Sequence, residues 1–293
     1  MLPVLAGLFA ALCWGLSDFL VTGPTRALGQ YRTTAYTMLF SSIVLFPFLA
    51  YTGINAFGIG IFALALLTSL ISFLAFLFAY KAFRYGNLSI TAPIVGTYPA
   101  VVVIGSVLVL GDTLTLMQFA AIITILAGII LTATKFSSLG SKRGIVAVGV
   151  GSALIAMVFM AIPAIFAGAY AAVVGFVLLS LMWRSVTSAG GFAAGLLTGQ
   201  SISIPRRKHV IPLFGAGVSD ALGILVFLYG IQAQSHALPI ISALAGFAGA
   251  VSVMLALMML KERPEKNQFV GIALAVAGVV LLSYFSRPRF GKA

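Results

Sequence analysis

The chain has 293 residues, of which 61% are hydrophobic and only 8% charged, and its mean hydropathy is +1.17. A water-soluble domain of that composition would have too few polar residues to cover its surface, so the sequence reads as an all-α, multi-pass membrane protein. The net charge of +12 would suggest a nucleic-acid partner in a soluble chain, but here no basic run is interleaved with stacking aromatics. The charges fall between apolar segments, where they face a membrane surface.

Apolar runs near the ~20 residues needed to cross a ~30 Å hydrocarbon core as a helix fall at 2–21, 33–51, 57–82, 88–110, 114–134, 145–164, 167–183, 210–231, 238–260 and 268–285. They predict ten transmembrane helices. No Lys or Arg precedes the first run and no small-residue cleavage site follows it, so the first segment is expected to be retained. Turn residues mark the breaks: Gly23-Pro24, Gly53 with Asn55, Gly86-Asn87 and Gly111-Asp112. Asp112 and Glu262 sit where the fifth and tenth helices begin, a position that favours an acid structurally. The sixth and seventh helices share one nearly unbroken run, with their turn expected near 163–168. Residues 185–197, rich in Gly, Ala and Ser, form either a frayed helix end or an interfacial piece, and 198–208 is a polar, then basic, loop. The single Cys13 allows no intrachain disulfide.

The stretch 80–132 is written twice. Shifted by 150 positions without a gap, it places Leu88 on Leu238, Ile90 on Ile240, Gly96 on Gly246 and Ala100-Val101 on Ala250-Val251. The same shift places Asp112 on Glu262, Gln118-Phe119 on Gln268-Phe269 and Ala127-Gly128 on Ala277-Gly278. Aliphatic matches are cheap in an apolar chain; the acid, the Gln-Phe pair and the glycines carry the repeat. Two halves, 1–135 and 136–293, follow. Five helices per half make the second half enter the bilayer from the opposite side, giving an inverted repeat of the kind used for alternating access. The first helices match less well: Gly29-Gln30-Tyr31 finds Gly168-Ala169-Tyr170, but Trp14-Gly15 has no clear twin. Duplication without transport, as in channels and membrane enzymes, also produces repeats.

Trp14-Gly15, the junction AFRYGNLSITAPI, the hinge VLGDTLTLMQFAAIITILAGIIL and its echo LMMLKERPEKNQFVGIALAVAGVVLL together resemble the drug/metabolite transporter superfamily, specifically its EamA-type ten-helix members. The second copy departs from the pattern at Lys261, where a glycine is usual. The resemblance implies a secondary transporter of the cell (plasma) membrane, commonly an exporter of amino acids or other small metabolites, with no cofactor and as monomer or homodimer. It does not name the solute.

A carboxylate at the bilayer centre costs about 2.5–3.5 kcal/mol, so it persists mainly where it faces a cavity or a partner. Asp220, flanked by Ser219, is the leading candidate for a cationic group or a coupling proton; its alternative is a packing hydrogen bond between helices. Asp18 shares the Ser-Asp-x-Leu context and serves either an interfacial cap or the site. Trp14, Tyr80, Tyr98, Phe227, Tyr229 and Phe247 are candidates to line a pocket for an apolar or aromatic solute, against the alternative of lipid or core contacts. Pro93 with Pro99, and Pro239 with Gly246 and Gly249, interrupt the fourth and ninth helices and are candidate gates, or shape packing only. Lys81 and Arg84 read as interfacial snorkelling residues, Gln232 and Gln234 as loop polarity. His209 and His236 have no ligand-spaced partner, so no metal is expected.

Lys and Arg concentrate in the loops after the odd-numbered helices: Arg26 and Arg32, Lys81 and Arg84, Lys135 to Arg143, Arg184 to Lys208, and Lys261 to Lys266. The positive-inside rule puts those loops in the cytoplasm and both termini outside, opposite to the usual description of the resembled family. Three functions remain in play: a carrier for a small-molecule solute, with protons as a possible coupling ion; a lipid or lipid-carrier flippase of the same superfamily; and a membrane-embedded enzyme. Two separated acids argue against the enzyme, which needs a dense polar cluster.

Overall fold

A computed structural model of the chain describes residues 2–86, 88–133, 143–259 and 265–285. Among these residues there are twelve α-helices and no strand. They are α1 (Leu2–Leu28), α2 (Gln30–Thr52), α3 (Ile59–Tyr85), α4 (Leu88–Gly96), α5 (Tyr98–Gly105), α6 (Leu116–Ala133), α7 (Arg143–Val174), α8 (Phe176–Leu197), α9 (Arg207–Ala233), α10 (Leu238–Ala245), α11 (Ala248–Met259) and α12 (Lys266–Phe285). A π-helical turn, Ser106–Leu110, extends α5, and a 3₁₀ turn, Ser235–Ala237, precedes α10. In lipid every backbone polar group must be satisfied within the fold, which an apolar chain achieves with helices.

By length and hydropathy seven segments among the described residues are able to cross a membrane: α1, α2, α3, most of α7, α8, α9 and the stretch Ser235–Ser252. Ile94–Leu110 and Leu116–Gly128 are shorter apolar helical segments. The expected single helices over 88–110 and 238–260 are therefore each broken. The first breaks at Thr97, whose Oγ1 donates to the Ile94 carbonyl at 2.7 Å. The second breaks at Gly246 and Phe247.

Several boundaries differ from the sequence reading for local reasons. Gly23-Pro24 does not end the first helix; Pro24 lies inside α1, and the chain turns at Gly29, whose φ of 86° suits glycine. The turn expected near 163–168 lies instead at Gly175, φ 87°, while Pro163 is accommodated inside α7. α8 consequently runs through Arg184 and 185–197, which are neither loop nor interfacial piece but one continuous helix. Asp112 does not cap the next helix. Thr115 and Gln118 do so as a capping box, the Thr115 backbone N–H donating to Gln118 Oε1 at 3.0 Å and the Gln118 N–H to Thr115 Oγ1 at 3.2 Å. Glu262 and Lys261 lie outside the described residues.

α1 packs along α9, α2 along α8, α3 along α7 and α6 along α12. α2 also meets α9 and α3 meets α8, while α1 meets α10 and α11 and α7 meets α4 and α5. The half-length helices pair crosswise, α4 with α11 and α5 with α10. Small residues let backbones approach: a Cβ on Gly191 of α8 would stand 2.8 Å from the Ala35 nitrogen of α2. The largest buried cluster joins α1, α2, α3, α5, α7, α8, α9 and α10 around Trp183, Phe227 and Leu228.

Candidate functional site

Asp220 is the fourteenth of the 27 residues of α9, and Ser72 holds the same place in α3. At this level the helices enclose a cavity of about 100 Å³, room for a few waters or for a solute of about half a dozen non-hydrogen atoms. Its wall is mostly apolar and aromatic, interrupted by Asp18, Arg184 and Asp220.

Arg184, expected in a loop, is buried inside α8 at 2% exposure and bound to Asp220, itself 1% exposed. Nε donates to Oδ2 at 2.5 Å and Nη2 to Oδ1 at 2.8 Å, a two-pronged geometry that a guanidinium and a carboxylate match well. Ser41 of α2 adds a third donor, 2.8 Å from Oδ2. The guanidinium carbon also lies 4.9 Å from the centroid of the Phe76 ring, a cation–π contact. Both charges are thereby neutralised and α2, α8 and α9 are tied together. The alternative reading of Asp220, a carboxylate bonded between helices, describes this geometry.

Asp18 differs. It lines the same cavity, yet its carboxylate has no hydrogen bond or ion pair among the described residues; only its backbone oxygen is engaged, by Thr22 Oγ1 at 2.8 Å. It is no interfacial cap, since α1 continues ten residues beyond it to Leu28.

Ser17 and Ser72 add hydroxyls to the wall, and Trp14, Trp183 and Tyr98 add aromatic rings. Nε1 of both indoles and the Tyr98 hydroxyl are buried without a hydrogen-bond partner. Trp14 rests on Phe227, ring centroids 5.1 Å apart. It lies against α9 where Gly223 leaves room, for a Cβ there would be 2.8 Å from the indole nitrogen. Its neighbour Gly15 does a separate job: a Cβ would be 2.8 Å from the Ala248 carbonyl, so it lets α1 close on α11.

Of the residues singled out on sequence, the cavity gathers Asp18, Asp220, Trp14, Tyr98, Phe227, Gly246 and Gly249. It does not gather Tyr80, which is buried behind the wall against Phe76 and Phe83, or Ser219, buried beside its neighbour but off the cavity. Tyr229 is half-exposed and packs on Phe176, and Phe247 packs with the cluster around Ile122 and Leu244. Trp183 and Arg184 are the residues missed; the signal available was a lone Arg next to a Trp at the edge of a Gly/Ala/Ser-rich apolar run.

The candidate gates divide similarly. Gly96 and Gly246, matched in the repeat, touch one another: a Cβ on Gly246 would be 2.6 Å from the Gly96 carbonyl oxygen and from Pro99 Cγ. Pro99 and Pro239 occupy the first turns of α5 and α10, where a missing N–H costs nothing, so neither kinks a helix from within. The side chain of Pro93 lies outside the described residues.

Elsewhere, Gln232 is no loop residue but part of α9, its Oε1 accepting from the Phe176 N–H at the start of α8, 2.8 Å away. His236, expected to stand alone, has Nδ1 3.2 Å from Asp112 Oδ1. Arg84 reaches Gln30 Oε1 at 2.7 Å. Among the described residues no three His, Cys, Asp or Glu side chains gather as metal ligands.

No curated protein matches this sequence. Twenty-nine chains of solved structures resemble it in fold. One, described as a crystal structure of a protein, is similar with a TM-score of 0.78 at 16% identity, covering 99% of this chain and 99% of that one. The EamA-like transporter family matches residues 1–134 and again residues 147–284. A lipid-compatible helical bundle around a polar-spotted cavity, matched along nearly its whole length, is a multi-pass membrane protein with a small-solute partner, and the chain belongs to the EamA-like transporter family.

Proposed function

We propose that the protein is a secondary transporter of the plasma membrane that moves a small metabolite by alternating access around this cavity, with Asp18 carrying the exchangeable charge or coupling proton. The observation that carries the proposal is the contrast between two carboxylates on one cavity. Asp220 is fully engaged by Arg184 and Ser41, whereas Asp18 faces the cavity unpaired. An unpaired carboxylate at membrane depth is costly and marks an ion or solute path. Asp220 then anchors Arg184 rather than binding the solute.

The ten-helix inverted repeat is part of the same proposal. Taking α4 with α5 as one broken span and α10 with α11 as another gives five spans in 1–135 and five in 136–293. Exchanging α1 with α7, α2 with α8, α3 with α9, α4 with α10, α5 with α11 and α6 with α12 maps the main helix pairings onto themselves: α1 with α9 becomes α7 with α3, and α4 with α11 becomes α10 with α5. The two separate family matches also support it. Rocking of one half on the other at the Gly96–Gly246 contact would open the cavity to each side in turn.

A thermal-shift screen of amino acids, amines, sugars and nucleotides at two pH values finds the solute, because a ligand that binds only the folded state stabilises it. Proteoliposomes then test the mechanism. Asp18→Asn is expected to abolish proton-gradient-driven uptake while sparing counterflow exchange. Undiminished gradient-driven uptake contradicts the role of Asp18. Stabilisation by lipid-linked compounds alone would favour a flippase.

A further inference from the structure

We propose that the cations gathered where α2 and α9 begin bind an anionic phospholipid, its phosphate held by Arg32, Arg206 and Lys208 and its acyl chains lying along the outer face of α9. This site is about 20 Å along α9 from Asp220, and it does not depend on what the cavity carries.

The loop that joins α8 to α9 folds back over the first turns of α2. Arg32 Nη2 donates to Ser203 Oγ at 3.1 Å, and the Tyr36 hydroxyl donates to the Ile202 carbonyl at 3.0 Å. That closure brings Arg32 of α2 to Arg206 and Lys208, and all three are near enough to act electrostatically on His209. Arg206, Arg207 and Lys208 are exposed. Among the described residues no carboxylate stands within ion-pair distance of Arg32, Arg206, Arg207 or Lys208. The acids are elsewhere: Asp18 and Asp220 line the cavity, Asp112 meets His236 beside Pro3 at the far end of α1, and Glu265 leads into α12, which packs along α6. Like charges held together without a counterion repel, and an anion seated among them relieves that repulsion.

The surroundings select a lipid over a soluble anion. Leu196 and Leu197 at the end of α8 and Ile204 in the loop are exposed beside the cations. From Arg207 the exposed face of α9 continues at i+4 and i+7 with Ile211 and Phe214. A soluble anion would use the cations and leave this apolar strip bare, whereas a phospholipid covers both.

Native mass spectrometry of the full-length protein in a neutral detergent compares phosphatidylglycerol with phosphatidylcholine of the same acyl chains. Both carry a phosphate, but only phosphatidylglycerol has a net negative charge. The first phosphatidylglycerol is expected to bind with a Kd about tenfold or more below that of phosphatidylcholine, since each cation near the headgroup contributes roughly fivefold. Arg206→Gln combined with Lys208→Gln, two exposed side chains that make no hydrogen bond, should bring the two lipids within a few-fold of each other. Lys81→Gln removes a charge from α3, where Lys81 lies over the Phe78 ring, and should leave the preference intact. Equal binding of the two lipids by the unmodified protein overturns the proposal, as does an equal loss of preference in Lys81→Gln. Displacement of bound phosphatidylglycerol by millimolar inorganic phosphate would also overturn it, making the cluster a site for a soluble anion.

Discussion

Removing one partner of the Arg184–Asp220 pair leaves a buried charge without a counterion, which costs about 3–5 kcal/mol, whereas replacing both by apolar residues of similar volume is often neutral or stabilising. Asp220→Leu and Arg184→Met are therefore each expected to lower the thermal midpoint of the purified protein sharply, and the double substitution to recover most of the loss. Additive losses in the double variant would mean that the two charges act independently. The same pair explains how much of the site was legible at this scale. Asp220 and Asp18 stood out because carboxylates are rare in spans. Arg184 did not, because the apolar window closed at Trp183 and the weakly hydrophobic Gly/Ala/Ser run beyond it hid the rest of α8, whose mean hydropathy of 1.2 is the lowest of the seven spans. Which carboxylate is engaged and which is free depends on how α8 and α2 pack against α9, so it is a tertiary fact. Tyr80 and Tyr229 were plausible by type, but the face each helix turns to the cavity decides, and hydropathy patterns in lipid scarcely encode that face.

At the scale of elements, the broken helices α4–α5 and α10–α11 cross at Gly96 and Gly246, where each glycine's missing Cβ is filled by the other's carbonyl oxygen, at 3.0 and 2.6 Å. A methyl group on Gly246 would push the crossing apart or pin it. Gly246→Ala is expected to slow transport at least tenfold while ligand-dependent indole fluorescence survives within a few-fold, since the binding wall is built mainly by other helices. Transport at the wild-type rate would remove the crossing from the mechanism. That these two spans are interrupted was readable from their prolines and glycines; the place of interruption was not. Pro99 and Pro239 sit in first turns, where proline is comfortable, and the breaks fall just before Pro99, at Thr97, and well after Pro239, at Gly246 and Phe247. The long run over 145–197 shows the same limit. Pro163 looked like the breaker, yet a helix in a packed bundle tolerates proline, and only the left-handed backbone at Gly175 turns the chain.

In the proposed architecture the repeat organises the whole molecule. The self-match at an offset of 150 was strong where Gly, Gln-Phe and an acid recur, and the helix pairings are preserved when the halves are exchanged. The halves are nevertheless unequal at the site. Asp18 and Trp14 come from α1, and Arg184, Trp183 and Asp220 from α8 and α9, so the charges are distributed without a twin. Symmetry supplies the motion in this account and asymmetry the chemistry, which is why the repeat alone could not locate the site. Alternating access requires the cavity to be reachable from both sides of the membrane. Ser72 lines it and is 4% exposed; with Cys13, the one native cysteine, replaced by Ser, Ser72→Cys places a single thiol there. Membrane-impermeant thiol reagents applied to right-side-out and to inside-out vesicles should each label that cysteine, and bound solute should protect it from both. Labelling from one face only, under every solute and pH condition, would contradict alternating access.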